Sequence, residues 1–121
     1  MDLRDTRILL LEDDALISID AEDMLLTLGA GAVLVAHTLA DAQALLGREP
    51  IDAAVLDIRI GNGRSDALAL DLMARGIPFI FTSGYATASD LAPGAEAVPV
   101  VGKPYAVESL VAAFSTIRDR A

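Results

Sequence analysis

Five short apolar runs punctuate this chain, and charged residues close three of them. Ile8-Leu9-Leu10-Leu11 ends at Glu12-Asp13-Asp14, Ala53-Ala54-Val55-Leu56 ends at Asp57, and Val98-Pro99-Val100-Val101 is followed by Lys103-Pro104. The other two runs lie near 32–36 and 78–82. Apolar runs this short, bounded by turn signals and separated by helical patterns, read as buried strands of a parallel sheet. Right-handed crossovers place all the strand ends of such a sheet on one side, and ligands bind at that rim. The spacing therefore brings several carboxylates and one ammonium together. Such a cluster calls for a divalent cation and points to chemistry on a phosphoryl group.

The segments between the runs carry helical periodicity. Asp14 can cap a helix whose inward positions are Ile17, Ala21, Met24, Leu25 and Leu28, with Gly29 and Gly31 to stop it. Thr38 caps a second, with Leu39, Ala42, Leu45 and Leu46 inward and its end at 47–50. Gly61-Asn62-Gly63 lacks P-loop or Rossmann spacing and reads as a turn before a helix over about 65–74. Signals are weak over 83–94, so a helix there is expected to be short or loose. The last helix is expected over 107–118, with Val107, Leu110, Val111, Phe114 and Ile117 on one face. The alternation gives a doubly wound α/β sandwich around five parallel strands.

At 121 residues and 54% hydrophobic, the chain suits one domain, 1–121, with one core. The absence of cysteine excludes disulfides and thiolate metal sites. The first residues do not form a secretory signal, and no run approaches the roughly 18 apolar residues of a membrane span. A cytoplasmic location is expected. A net charge of −9 argues against direct binding to nucleic acid or to an anionic membrane.

Charge limits what the rim can be. Two carboxylates about 5 Å apart repel by about 3 kcal/mol at an effective dielectric of about 20. Glu12, Asp13 and Asp57 at neighbouring strand ends need more than the one charge of Lys103, and Mg²⁺ suits a few carboxylates plus water and phosphate oxygens. The plainer alternative makes these acids helix caps and turn formers. That fits Asp14 well and fits Asp57, directly after an apolar strand, poorly.

These residues resemble those of the response-regulator receiver domain, the phosphoacceptor half of two-component signalling, over essentially all 121 residues. The motifs are an acidic pair after the first strand (Glu12, Asp13), an aspartate after the third (Asp57), a hydroxyl residue after the fourth (Ser83) and Lys103-Pro104 after the fifth. Each is weak alone, and the four in order are specific. Pro78-Phe79-Ile80-Phe81-Thr82-Ser83-Gly84-Tyr85 is also similar to the strand-four motif PFxFATGY of one receiver subfamily, with Thr82 and Ser83 as departures.

The resemblance implies a (βα)5 flavodoxin-like fold. It implies that Asp57 accepts a phosphoryl group from a sensor histidine kinase or phosphotransfer protein, with signalling onward to a downstream protein. It implies Mg²⁺ held by Asp13, Asp57 and the main-chain carbonyl of Arg59, with Glu12 acting through water. Lys103 would pair with Asp57 and then with the phosphoryl group, aimed inward by a cis peptide at Pro104. Ser83 would be the switch hydroxyl, with Thr82 pointing elsewhere by strand alternation. The usual aromatic on the fifth strand is replaced by Val100, which leaves Tyr85 as the substitute switch. Arg59 and Tyr85 would border the water that hydrolyses the acyl phosphate. His37, the single histidine, reads as a loop residue. Two other readings stay open: a small phosphohydrolase with an aspartyl nucleophile, and a receiver-like binding module that is not phosphorylated.

Overall fold

The computed structural model describes residues 1–61, 63–84, 98–103 and 105–117. Along them run β1 (Arg7–Leu11), α1 (Ala15–Thr27), β2 (Ala32–Ala36), α2 (Leu39–Arg48), β3 (Ala53–Asp57), β4 (Arg59–Ile60), β5 (Gly63–Arg64), α3 (Asp66–Arg75), β6 (Phe79–Ser83), β7 (Val100–Gly102) and α4 (Val107–Thr116). The helix expected over 83–94 lies almost wholly outside the described residues, as do Tyr85 and Pro104.

Five strands form one parallel sheet in the order β2-β1-β3-β6-β7. The chain moves outward from β1 to β2, then returns to place β3 on the other side of β1. The order thus reverses between β1 and β3, the crevice where sheets of this type bind ligands. Glu12 and Asp13 follow β1, and Asp57 ends β3, so the acids flank that crevice.

Side-chain alternation along the strands feeds two cores. Ile8, Leu10, Ala53, Val55 and Ile80 pack with α1 and α4, while Leu9, Leu11, Ala54, Leu56, Phe79 and Phe81 pack with α2 and α3. Full burial of each large apolar side chain contributes about 1.5–3 kcal/mol, and truncating one such as Phe81 to alanine costs about 3–5 kcal/mol. The sheet is thereby covered on both faces, as the near-continuous apolar runs require.

Local signals end the helices where expected. The Asp14 carboxylate accepts from the N–H groups of Leu16 and Ile17, and the Thr38 hydroxyl accepts from that of Asp41. Gly29 stops α1 at φ +105°, a conformation that side chains rarely tolerate. α2 runs through Gly47 to Arg48 with Glu49 as its C-cap, inside the stretch 47–50 expected to end it.

Three differences have local causes. Val111 is 47% exposed, because the buried face of α4 centres on Leu110, Ala113 and Phe114, at spacings of three and four. The fifth sheet strand begins at Val100. Pro99 precedes it and lacks an N–H, although its carbonyl still accepts from Phe81 at 2.9 Å. The turn after Asp57 is an antiparallel ribbon, β4–β5, pairing Arg59 with Arg64 and Ile60 with Gly63. Pairings of two residues are too short to show periodicity. No described helix is long and apolar enough to cross a membrane.

Candidate functional site

Hydrogen bonds continue past the strand ends and fix the rim. Glu12 N–H donates to Ala36 carbonyl at 3.0 Å, Ile58 N–H to Thr82 carbonyl at 3.0 Å, and Lys103 N–H to Ser83 carbonyl at 3.0 Å. The first residues of three loops therefore keep the order of the sheet. A cleft of about 220 Å³ opens there, lined by Asp57, Arg59, Ser83, Gly84 and Lys103. A larger hollow of about 470 Å³, between the ends of α2 and α3, lies at the opposite rim, far from these groups.

The Lys103 ammonium bridges two buried carboxylates. Its Nζ lies 2.7 Å from Asp57 Oδ2 and 2.6 Å from Glu12 Oε1. Asp57 is 5% exposed and Glu12 is wholly buried. Asp13 is exposed, and its Oδ2 accepts from Gly61 N–H at 2.9 Å, which ties the β4–β5 ribbon to the end of β1. Asp57 Oδ1 accepts from Arg59 N–H at 3.3 Å.

Proton affinities follow from these contacts. Burial pushes the Asp57 carboxyl above its ordinary value, only partly opposed by Lys103. For Lys103, burial acts to lower the ammonium, but its contacts with Asp57 and Glu12 outweigh burial and hold it above its ordinary value. The Gly61 N–H holds Asp13 below the usual carboxylate range, against a smaller effect of burial.

One carboxylate oxygen each from Glu12, Asp13 and Asp57 lies within 4.8 Å of the others. Three carboxylates less one ammonium leave two negative charges on these four groups, a donor set that fits a hard divalent cation. Glu12 already accepts from Lys103 and Tyr105 on Oε1 and from Asp14 N–H on Oε2. Wholly buried and with three donors, Glu12 suits a contact through water, whereas Asp13 is exposed and Asp57 holds its Oδ1 only by the longer 3.3 Å bond from Arg59 N–H, so these two are better placed to face an ion directly.

The structure thus brings Glu12, Asp13, Asp57, Arg59, Ser83 and Lys103 to one rim. Thr82 and Ser83 diverge as strand alternation requires: Ser83 lines the cleft, and Thr82 is wholly buried with its hydroxyl 3.4 Å from that of Tyr105. His37 is exposed, and its Nδ1 lies 2.9 Å from the Glu12 carbonyl. Tyr85, expected as a switch, lies outside the described residues.

Sequence reasoning missed Tyr105. It is 8% exposed, and its hydroxyl donates to Glu12 Oε1 at 3.0 Å. Burial raises its phenol well above the ordinary value, so it stays a donor at neutral pH. The only signal was a tyrosine two positions after Lys103, in a stretch where neither helix nor strand periodicity applies. The Asp13–Gly61 contact was equally hidden, because it depends on how the ribbon folds back.

No family model and no curated protein sequence matches the chain. Solved structures do. The chain is 32% identical to SdrG from Sphingomonas melonis Fr1, with 96% of this chain and 98% of that one covered and a TM-score of 0.78. SdrG has also been solved in a BeF3-activated conformation, to which the chain is 33% identical over 93% of its length and 96% of the other, again at 0.78. The response regulator PhyR from Brucella abortus is 30% identical, with 92% of this chain but 46% of that one covered, at 0.78. A CheY-like response regulator receiver domain protein from Methanospirillum hungatei JF-1 shares the fold at 24% identity, over 91% and 90% of the two chains, at 0.78. With this likeness running along nearly its whole length, the chain belongs to the family of response-regulator receiver domains.

Proposed function

We propose that residues 1–121 form a cytoplasmic phosphoacceptor receiver of a two-component phosphorelay. Asp57 takes a phosphoryl group from a phosphohistidine on a sensor histidine kinase or phosphotransfer protein, and the modified domain signals by altered contact with a downstream protein, without nucleic acid or membrane. The observation that carries this reading is the buried Asp57 carboxylate held 2.7 Å from Lys103, at the crevice flanked by Glu12 and Asp13.

The Asp57 carboxylate attacks phosphorus, forming a P–O bond as the P–N bond breaks. The imidazole nitrogen leaves with the electron pair and takes a proton. Catalysis here is mainly positioning and charge neutralisation. Lys103 balances Asp57 before transfer and a phosphoryl oxygen afterwards. Mg²⁺ bound by Asp13, Asp57 and the Arg59 carbonyl, with Glu12 through water, would neutralise charge on the transferring group. The acyl phosphate adds about 1.5–2 negative charges and three acceptor oxygens. Ser83, in the same cleft, donates to one of them and biases the end of β6 between two arrangements. Arg59, at the mouth, tunes the lifetime of the acyl phosphate together with Tyr85, which remains the candidate switch aromatic. The position of Ser83 supports alignment of 78–85 with the PFxFATGY motif.

A phosphohydrolase reading is weaker. Such enzymes often place a second acid two residues after the nucleophile, where this chain has Arg59. A non-phosphorylated binding module would not need Asp57, Lys103 and the acidic pair together. Incubation with Mg²⁺ and acetyl phosphate, followed by intact-protein mass measurement, tests the proposal. A phosphoryl adduct absent from Asp57→Asn is expected. No adduct on the wild type, or an equal one on the variant, would end this reading.

A further inference from the structure

Glu12 is wholly buried, and three donors hold its carboxylate. Oε1 accepts from Lys103 Nζ at 2.6 Å and from Tyr105 hydroxyl at 3.0 Å, while Oε2 accepts from Asp14 N–H at 3.0 Å. The Tyr105 ring belongs to the core under α1 and α4, packed with the group that includes Leu110 and Phe114. Its hydroxyl therefore has a rigid mount. The same hydroxyl lies 3.4 Å from Thr82 Oγ1, next to Ser83. One phenol thus joins the end of β1, the end of β6 and the loop that carries Lys103.

The geometry points to Tyr105 as a positioning residue: its hydroxyl holds the Glu12 carboxylate and, through it, keeps the Lys103 ammonium shared with Asp57. Donation from Tyr105 to Oε1 uses lone-pair capacity that Lys103 would otherwise claim. Without it, Glu12 holds the ammonium more strongly and is freer to turn about its terminal torsion, which is intrinsically soft. Lys103 is then less available to the phosphoryl group. Glu12 accordingly serves the lysine as well as any ion. This inference deepens the phosphoacceptor reading and rests on it.

Tyr105→Phe keeps the ring and deletes only the donor. Two readouts are needed, because a merely structural role would alter neither in a folded variant. In metal-free protein, the Lys103 side-chain ammonium is followed by ¹H–¹⁵N NMR. With Mg²⁺ and acetyl phosphate, the rate of Asp57 phosphorylation is measured for the wild type, Tyr105→Phe, Glu12→Gln and the double variant. Tyr105→Phe is expected to shift or broaden the ammonium signal and to slow phosphorylation by about three- to tenfold. Added to Glu12→Gln it should cost little more, since the hydroxyl acts through Glu12. An unchanged lysine signal with an unchanged rate, or an equal fractional loss in the Glu12→Gln background, overturns the inference. If the wild type takes no phosphoryl group, the functional reading falls, while the lysine signal still decides the role of Tyr105.

Discussion

Lys103 Nζ lies 2.7 Å from Asp57 Oδ2 across a sequence separation of 46 residues, and the same nitrogen reaches Glu12 at 2.6 Å. One cation thus serves two buried carboxylates. Its removal leaves charge without compensation, which typically costs about 3–5 kcal/mol for a fully buried pair and less where water reaches the group. With the Lys103 side chain 15% exposed, Lys103→Met is expected to lose about 2–3 kcal/mol at pH 7 without metal, and to regain part of it when Mg²⁺ is added. Urea titrations with and without Mg²⁺ measure both. A variant as stable as the wild type would mean that Lys103 does not balance these acids.

Asp57 imposes a cost on the fold that depends on pH. Its native carboxyl titrates above the ordinary value of 3.8, chiefly through burial. Between those two values the native state keeps a proton that the unfolded chain has released, so stability falls as pH rises through the window and remains lower above it. Asp57→Asn should therefore be more stable than the wild type at pH 7 in metal-free buffer. That advantage should shrink as pH falls towards and below 3.8. Denaturation midpoints across the acid range give the comparison, and a gap independent of pH would contradict it.

Asp13 is the most exposed of the three clustered acids, and one of its oxygens is already bound to Gly61 N–H. Binding of a cation to the native state alone adds about 1.4 kcal/mol at tenfold excess over Kd. The wild-type melting temperature should rise with Mg²⁺. Asp13→Asn keeps an oxygen for Gly61 but loses the charge, and should show little or no rise. Thermal scans over a range of Mg²⁺ concentrations test this, and an equal rise in both proteins would remove Asp13 from the ion site.

Ser83 and Thr82 offer hydroxyls on opposite sides of one strand, and only Ser83 lines the cleft with Asp57 and Lys103. A hydrogen bond to a charged group contributes about 1.5–3 kcal/mol, enough to shift a two-state population by tenfold or more. With beryllofluoride as phosphoryl mimic, Ser83→Ala should lose most of the amide shift changes at Gly84 and Gly102, whereas Thr82→Val should retain them. The reverse result would assign the switch hydroxyl to Thr82.

Much of the architecture was legible because one-dimensional patterns control it. β1 and β3 are apolar runs that must be buried on both faces, and each ends where charge begins. Asp14 and Thr38 cap helices through bonds to residues two or three positions on, so their neighbours sufficed to identify them. The rim was legible for the same reason: in a parallel sheet, residues that follow strands share an edge whatever their distance along the chain. Val111 was misplaced because two apolar faces of α4 compete, and only packing against the sheet selects between them.

The sequence by itself determined that Glu12, Asp13, Asp57, Ser83 and Lys103 would meet, since strand periodicity and right-handed crossovers leave few other arrangements. Tertiary structure alone decided how they meet: that Lys103 divides itself between two carboxylates, that Gly61 restrains Asp13, and that Tyr105 stands behind Glu12. Those contacts are made by loop backbone and by side chains with several rotamers. Nothing periodic encodes their directions, and they are set only when the two cores close on the sheet and bring the loops together at its rim.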